Sequence, residues 1–484
     1  MVSLSGREHK QARSRTEGRE RSMADINLTR RAFIGATGAA SLVLAACGGA
    51  AGTDSGGDAA ATDTEAAASG VITGTFDMHV QGYDYGAGVD KVTITLDAPL
   101  DAVAPENFSV VEHKQATDWT AEDFPVIEAD FPREITAASI DGTTLELELA
   151  CDPNNGSPFL YTMSTGYNTW CDPYQLNITL AEGAKLTSGG VAVTEFTIDP
   201  EPAGKTTSGD AWTLDSYECA DGTTFPYAAF DPAEESKNLF VWLHGAGEGG
   251  TEATDPLVTI LANKVVALSE DECQSTVGGA HVVAPQSPTM WMDIGDNTYI
   301  STENSEEVHS IYTEALEEFI DAYAEKVGAE KVVVGGCSNG GFMTLWMALH
   351  RPDRYAGVVP ICEAIPDALI TDEQIAGLVD LPMYFIWSED DTTVNPEECE
   401  LPTTKRIRKV KKAAKKANKT LHISTTNMVV DTSGQYFAVD EEGNVTDQPY
   451  QYNGHWSWIY FDNNECACNR DGLKAFDFVA ECFA

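Results

Sequence analysis

From residue 71 to about residue 203, hydrophobic and polar positions alternate in short runs such as Lys91-Val92-Thr93-Ile94-Thr95-Leu96, Thr144-Leu145-Glu146-Leu147-Glu148-Leu149 and Gln175-Leu176-Asn177-Ile178-Thr179-Leu180. A period of two puts the apolar side chains of a strand on one face. Several such runs, punctuated by Asp-Gly and Pro-Asn-Asn-Gly turns, predict an all-β sandwich. Beyond Lys205 the pattern changes to short apolar runs separated by helical stretches. Strands are expected at Leu239 to Leu243, His281 to Ala284, Lys331 to Val334, Gly357 to Ile361, Met383 to Trp387 and Leu421 to Thr425. Strand and helix in alternation predict a doubly wound, mostly parallel sheet of the α/β class. The helix expected over Glu306 to Lys326 is the clearest element. Its Val308, Ile311, Tyr312, Ala315, Leu316, Phe319, Ile320 and Tyr323 recur at i, i+3, i+4 and i+7, a stripe that must pack on a sheet.

The first 70 residues fit neither period. A basic stretch leads to Thr29-Arg30-Arg31-Ala32-Phe33-Ile34 and an uncharged, weakly apolar run from Gly35 to Ala46, too short to span a bilayer comfortably. This is the form of a twin-arginine export signal, with Met23 as a second candidate start. The run closes on Leu44-Ala45-Ala46-Cys47-Gly48, which predicts a lipoprotein processing site with lipid attached at Cys47; an ordinary secretory cleavage there or a retained anchor helix is the plainer alternative. Residues 48–70 are nearly all Gly, Ala, Thr, Ser, Asp and Glu and are expected to form a tether. The expected organisation is therefore signal 1–47, linker 48–70, sandwich 71–203 and α/β domain 204–484, in an exported protein held on the membrane by lipid.

Charge narrows the partners. The chain carries −46 overall, and the residues after Cys47 hold 22 Lys and Arg against 72 Asp and Glu. A field of that sign disfavours nucleic acid and keeps a tethered protein soluble. Nine of those 22 basic residues fall between Lys405 and Lys419, where Ile407, Val410, Ala413, Ala414 and Ala417 predict the apolar face of a basic helix. Such a helix contacts anionic lipid or, more plainly, covers the sheet with its charges in solvent. Ten cysteines remain besides Cys47, and Cys151 and Cys171 are an expected disulfide across one short loop. Cys466 and Cys468 lack a second pair at finger spacing, so no zinc or other metal is expected.

The chemistry is concentrated after residue 238. Lys331-Val332-Val333-Val334-Gly335-Gly336-Cys337-Ser338-Asn339-Gly340-Gly341 runs from a β-branched strand through Gly-x-Ser-x-Gly into a helix, Phe342 to Leu349, closed by Pro352. A strand-to-helix turn this sharp strains the serine backbone and leaves no room for side chains at Gly336 and Gly340. It raises the hydroxyl of Ser338 above the sheet at a helix N-terminus. Upstream, the strand ending at Leu243 leads into His244-Gly245-Ala246-Gly247-Glu248-Gly249-Gly250, whose backbone amides can turn toward a bound carbonyl. The amides of Ala246 and Asn339 are the expected oxyanion donors. A phosphate-binding loop is excluded because the required Lys followed by Ser or Thr is missing. A later strand, Met383 to Trp387, opens into Ser388-Glu389-Asp390-Asp391-Thr392-Thr393-Val394, and Asp391 is preferred to Asp390 as the acid. Of the histidines after Ser338, His350 lies along the elbow's own helix and His422 inside a strand. His455, in Tyr452-Asn453-Gly454-His455-Trp456-Ser457-Trp458, occupies a glycine-flanked loop suited to a base. The order Ser, Asp, His is then complete.

His244 to Glu248, Ala284-Pro285-Gln286-Ser287-Pro288 with Trp291, Gly336 to Gly341, Val359-Pro360-Ile361-Cys362 and the Asp391 and His455 loops together resemble the bacterial esterase and predicted-peptidase branch of the α/β-hydrolases. Polyhydroxybutyrate depolymerase-like and prolyl oligopeptidase-like enzymes are its neighbours. The resemblance covers about residues 205 to 484, and esterases of this group with an N-terminal immunoglobulin-like domain would match residues 71–203. It implies a serine esterase working through an acyl-enzyme on a small or polymeric ester, with no cofactor, and with His244, Gly245, Gly247, Trp291 and Trp456 near the substrate. A serine peptidase, or an inactive surface binding protein attached through the sandwich, are the competing implications. Two departures stand out. The segment between Leu421 and His455 is long, with a Glu442-Gly443-Asn444 turn and the aromatics Tyr436, Phe437, Tyr450 and Tyr452, where the family has a short loop. Cys337 is shared with tannases and feruloyl esterases, but their histidine is followed by a cysteine that bonds to it, and here Trp456 stands in that place. The sandwich itself holds no catalytic constellation and reads as a spacer or a carbohydrate-binding unit.

Overall fold

The computed structural model describes residues 68–440 and 444–484. The expected signal, Cys47 and most of the expected tether lie outside them, and so do Glu442 and Gly443 of the anticipated turn. Among the described residues no helix is long and apolar enough to cross a membrane.

Alternation dictates the first unit. In one sheet the strands run in the order Glu195–Ile198, Val71–Tyr83, Gly86–Leu96, Thr144–Leu149, Ile135–Asp141; in the other, Val126–Arg133, Phe108–Thr117, Tyr174–Leu180. Phe76, Val80, Val92, Ile94, Leu145 and Leu147 of the first sheet and Phe108, Val110, Leu176 and Ile178 of the second are buried in one core. Gly204–Thr207 pairs in parallel with Asp77–Val80, so the sandwich continues past residue 203 and the second unit starts at the strand Thr213–Glu218. Cys151 and Cys171 are both free thiols, contrary to the expected disulfide. Sequence proximity around one loop does not bring them together. The Cys151 thiol donates to the Val89 carbonyl beside Arg133, while that of Cys171 donates to the Gln115 carbonyl on another strand.

The second unit is an eight-stranded sheet in the order Thr213–Glu218, Thr224–Phe230, His281–Pro285, Asn238–Leu243, Lys331–Cys337, Gly357–Ile361, Met383–Ser388, Leu421–Thr426. The last six run parallel, and the first two form an antiparallel edge that the apolar runs did not announce. All six anticipated strands are present. The order reverses at Asn238–Leu243, whose neighbours His281–Pro285 and Lys331–Cys337 come later in the chain on opposite sides. A reversal of this kind opens a crevice at the carboxyl ends of the strands. It sets the loop after Leu243 beside the turn after Cys337.

Two helices differ from expectation. The long amphipathic helix begins at Thr313, not Glu306, and ends at Val327. Val308 and Tyr312 are buried as the stripe implied, but Ile311 is 48% exposed and its amide is taken by the Asp293 carbonyl, so that stretch is packed loop. The basic segment is a helix over Glu400–Ala413, a left-handed turn at Lys415 and a short helix Ala417–Thr420. Its inward face is Thr403, Thr404, Ile407 and Lys411, while Ala413 and Ala414 face solvent. Lys411 is fully buried, its Nζ donating to the Leu381 carbonyl at 2.5 Å. An ammonium that caps a carbonyl inside the protein accounts for the misread face, because its charge alone says surface.

The two units share one core. Gly82 approaches Leu261 and Val266 so closely that an added Cβ would lie 3.3 Å from the Val266 side chain. Asp84 pairs with Lys264 at 3.2 Å and accepts from Asn463 at 2.9 Å. The sandwich hairpin Phe159–Tyr161 and Asn168–Trp170 leans on the loop after Leu243, and Trp170 Nε1 donates to Asp255 at 2.8 Å. On the other side the long segment before His455 forms its own hairpin, Phe437–Val439 with Val445–Pro449, and Tyr436 meets Tyr85 hydroxyl to hydroxyl at 3.1 Å. The sandwich is thus packed against the second unit at several places.

Candidate active site

The elbow follows from sterics. Ser338 has φ 56° and ψ −116°, a backbone shape that non-glycine residues rarely adopt, between the strand Lys331–Cys337 and the helix Asn339–His350. The glycines around it leave no alternative residue. A Cβ on Gly340 would lie 1.8 Å from the Leu243 carbonyl oxygen, and one on Gly336 would lie 2.4 Å from the same atom. The Ser338 amide is held by the Ile361 carbonyl at 2.9 Å and by Cys362 Sγ at 3.2 Å. With main chain fixed on both sides, the half-buried hydroxyl is presented at the start of a helix, where the dipole favours negative charge.

Three loops then converge. His455 Nε2 lies 2.8 Å from Ser338 Oγ, and its Nδ1 lies 2.7 Å from Asp391 Oδ2. Asp391 Oδ1 accepts from the Thr393 and Val394 amides at 2.8 and 2.9 Å. Both oxygens of Asp391 are thus occupied, and the carboxylate cannot turn. Asp390 is bound instead to Ser388 Oγ, at 2.5 Å. Gly454 lets the two loops meet, since a Cβ there would lie 2.3 Å from Asp390 Oδ1. Burial opposes charge on His455, but the Asp391 carboxylate and the Cys362 sulfur beside it lift its pKa well above the usual histidine value. The ring can therefore hold a proton taken from a neighbour.

The loop Gly245–Gly249 makes one 3-10 turn over Ala246–Glu248. Among the described residues, neither the Ala246 amide nor the Asn339 amide donates to a protein acceptor. Two free amides flanking a nucleophile can bind an oxyanion. The Asn339 side chain is structural, its Oδ1 accepting from the Met292 amide at 3.0 Å.

Of the residues expected near substrate, two are placed otherwise. His244 is fully buried, with Nδ1 donating to the Gly245 carbonyl at 2.6 Å and Nε2 accepting from the Ser287 amide at 3.0 Å; burial pushes its pKa down to about 4. It shapes the loop from beneath and has no surface to offer a ligand. Trp291 is also fully buried, packed on His244 and among Phe225 and Tyr312. The resemblance placed it near the substrate, but the loop after Pro285 folds the ring back into the core. Gly245 and Gly247 sit in the turn, Gly247 against Asn168 and Tyr161, and Trp456 is half-buried beside His455, its ring tilted against those of Tyr452 and Trp458. Residues that were given no site role in the sequence also lie against the elbow or the glycine loop: Cys362 under Ser338, Glu248 in the loop, and Tyr161, Tyr167 and Asn168 from the sandwich. Only a glutamate within a run of glycines hinted at one of them.

His422, Cys468 and Asp471 bring one ligand atom each within 4.8 Å of one another. Arg470 already lies 3.3 Å from His422 Nδ1 and 2.6 Å from Asp471, so a cation fills that position.

Residues 228–433 match the model of the phospholipase/carboxylesterase family. The match ends where the long segment begins, before His455. No curated protein matches the chain. A solved thermostable esterase aligns with a TM-score of 0.58 at 18% identity, over 82% of this chain and 96% of its own, more than the residues after Thr213 supply. An S-formylglutathione hydrolase from Agrobacterium tumefaciens aligns over 56% of this chain and 95% of its own, at 12% identity and a TM-score of 0.35.

Proposed function

Taking the chain as a hydrolase of the α/β-hydrolase superfamily, we propose that it is a serine esterase in which Ser338, His455 and Asp391 form the catalytic triad. The observation that carries this reading is the unbroken relay of 2.8 and 2.7 Å from Ser338 Oγ through His455 to Asp391. Ser338 attacks the ester carbonyl as His455 takes its proton. Asp391 stabilises the imidazolium, and the amides of Ala246 and Asn339 receive the oxyanion. His455 returns the proton to the leaving alcohol. Water, activated by the same ring, then frees the acid from Ser338.

A carboxylic ester is the favoured substrate because the matched family is that of phospholipases and carboxylesterases. The all-β unit is read as immunoglobulin-like, on the support of its two packed sheets. Attachment to a membrane through lipid on Cys47 belongs to the same proposal, and palmitate incorporation that disappears in Cys47→Ala is its test.

Short-acyl nitrophenyl esters, peptide amides and a fluorophosphonate probe test the chemistry together. Ester turnover is expected, with Ser338→Ala lowering kcat by roughly 10⁴ to 10⁶ and abolishing labelling at an unchanged melting temperature. Cleavage of amides in preference to esters would make it a peptidase. A wild-type protein that neither turns over nor labels would make it a binding protein.

A further inference from the structure

Glu248 is 4% exposed, yet it carries a carboxyl group in a loop otherwise built of glycine and alanine. A buried carboxylate needs donors. Here the side-chain amide of Asn168 donates to Oε1 at 3.3 Å, the Asn263 side chain and the Gly245 amide favour the charged form, and the amide of Glu248 itself closes the turn on the Gly245 carbonyl at 3.5 Å. The fit is tight: a Cβ on Gly245 would lie 3.0 Å from Glu248 Oε2, and one on Gly247 would lie 2.7 Å from Asn168 Nδ2. From the opposite side the loop's main chain is held by Gln286, whose Nε2 donates to the Glu248 carbonyl at 2.9 Å, and by the Gly250 amide on the Ser287 carbonyl at 3.0 Å. The loop is therefore clamped between the end of the strand His281–Pro285 and a hairpin of the sandwich.

We propose that Glu248 is a positioning residue for the oxyanion loop and that Asn168, delivered by the sandwich, is its partner. The carboxylate ties the inside of the turn to Asn168, and the Ala246 amide is left without a protein acceptor, free for the oxyanion. Burial pushes the Glu248 carboxyl up to about 7 even with these donors opposing the rise, so the carboxylate and the protonated acid are both populated at neutral pH. The titratable group facing it is Cys337, whose thiol burial and the nearby carboxylate keep protonated. The role assigned to Glu248 rests on the esterase reading above, since an oxyanion loop matters only if Ser338 acylates.

The test uses the full chain with Glu248→Gln and Asn168→Ala. Glutamine keeps the size but turns an amide group toward donors that need an acceptor. Losing one oxyanion donor outright costs about 10²- to 10³-fold in kcat. A displaced donor should cost less, so Glu248→Gln is expected to lower kcat roughly 10- to 100-fold while KM stays within about twofold. Affinity for a trifluoromethyl ketone, whose adduct with Ser338 places an oxyanion on the same amides, should fall by the same factor as kcat. Asn168→Ala, at a half-buried position on the hairpin, should show the same split at about 3- to 10-fold, and it decides the matter if the glutamine variant does not fold. Both variants within about twofold of wild type in kcat and in ketone affinity would overturn the proposal, as would a rise in KM alone. A wild type that neither hydrolyses esters nor takes up fluorophosphonate would fail at the earlier step, removing the esterase reading and this role with it.

Discussion

Asp391→Asn tests the relay most directly, because the surroundings of the carboxylate decide how asparagine must sit. Oδ1 of Asp391 accepts from the Thr393 and Val394 amides, and Oδ2 faces His455 Nδ1. Asparagine has one acceptor oxygen. Turning its NH₂ toward Thr393 and Val394 would leave two part-buried donors without their acceptor, at no more than about 1 to 3 kcal/mol each. The oxygen therefore stays on the two amides, and the NH₂ points at Nδ1. The imidazole must then accept at Nδ1 and carry its proton on Nε2, where it cannot take the Ser338 proton. A bias of about 2 to 6 kcal/mol against the competent orientation leaves it populated roughly one part in 30 to one part in 2 × 10⁴, at one decade per 1.36 kcal/mol. The loss in kcat is expected near the upper end, about 10³ to 10⁴, with KM and melting temperature little changed. Single-turnover acylation with a nitrophenyl ester and the rate of fluorophosphonate labelling measure it. Asp390→Asn, whose partner is Ser388, should stay within a few-fold of wild type. Asp391→Asn within tenfold of wild type would refute the claim that this carboxylate sets the tautomer of His455.

The other expectations are independent of that one. Gly340→Ala sets a methyl 1.8 Å from the Leu243 carbonyl, so urea unfolding should show a loss of at least about 3 kcal/mol; a smaller loss means the elbow can open. Because burial lowers the pKa of His244 from 6.5 to about 4, the unfolded chain takes up that proton first as pH falls, and folding stability drops by about 1.4 kcal/mol per pH unit between roughly 6.5 and 4. His244→Asn should be destabilised less than wild type on going from pH 7.5 to 5, and equal slopes would contradict the assignment. Denatured without reductant, residues 68–484 should expose ten reactive thiols, whereas eight would restore a disulfide.

Legibility followed the range of the interactions involved. Elements with their own period were readable: the strand Gly357–Ile361 and the run Thr144–Leu149 are placed where the alternation and apolar spacing put them. The elbow was readable for the same reason, since Gly336, Ser338 and Gly340 meet a steric condition set within five residues. Errors arose where a side chain's environment is supplied from far along the chain. Trp291 is withdrawn into the core by Phe225 and Tyr312, Lys411 is buried on the carbonyl of Leu381, and Ile311 belongs to a loop held by Asp293. The edge strand Thr213–Glu218 was missed because it is mostly polar and exposed, and Thr224–Phe230 because its short apolar run, broken by Pro226, becomes a strand only through the partners on either side of it.

What the sequence determined by itself is the class of both units, the strand order of chemistry from Ser338 through Asp391 to His455, and the strain at the serine, all of which depend on residues close in sequence. Only tertiary structure decided that the Asp391 carboxylate and the His455 ring come within 2.7 Å, that His244 and Trp291 support the site from inside, and that a hairpin of the sandwich reaches Glu248 across 80 residues of chain. Those outcomes depend on which surfaces exclude water together, and that is settled when the sheets pack.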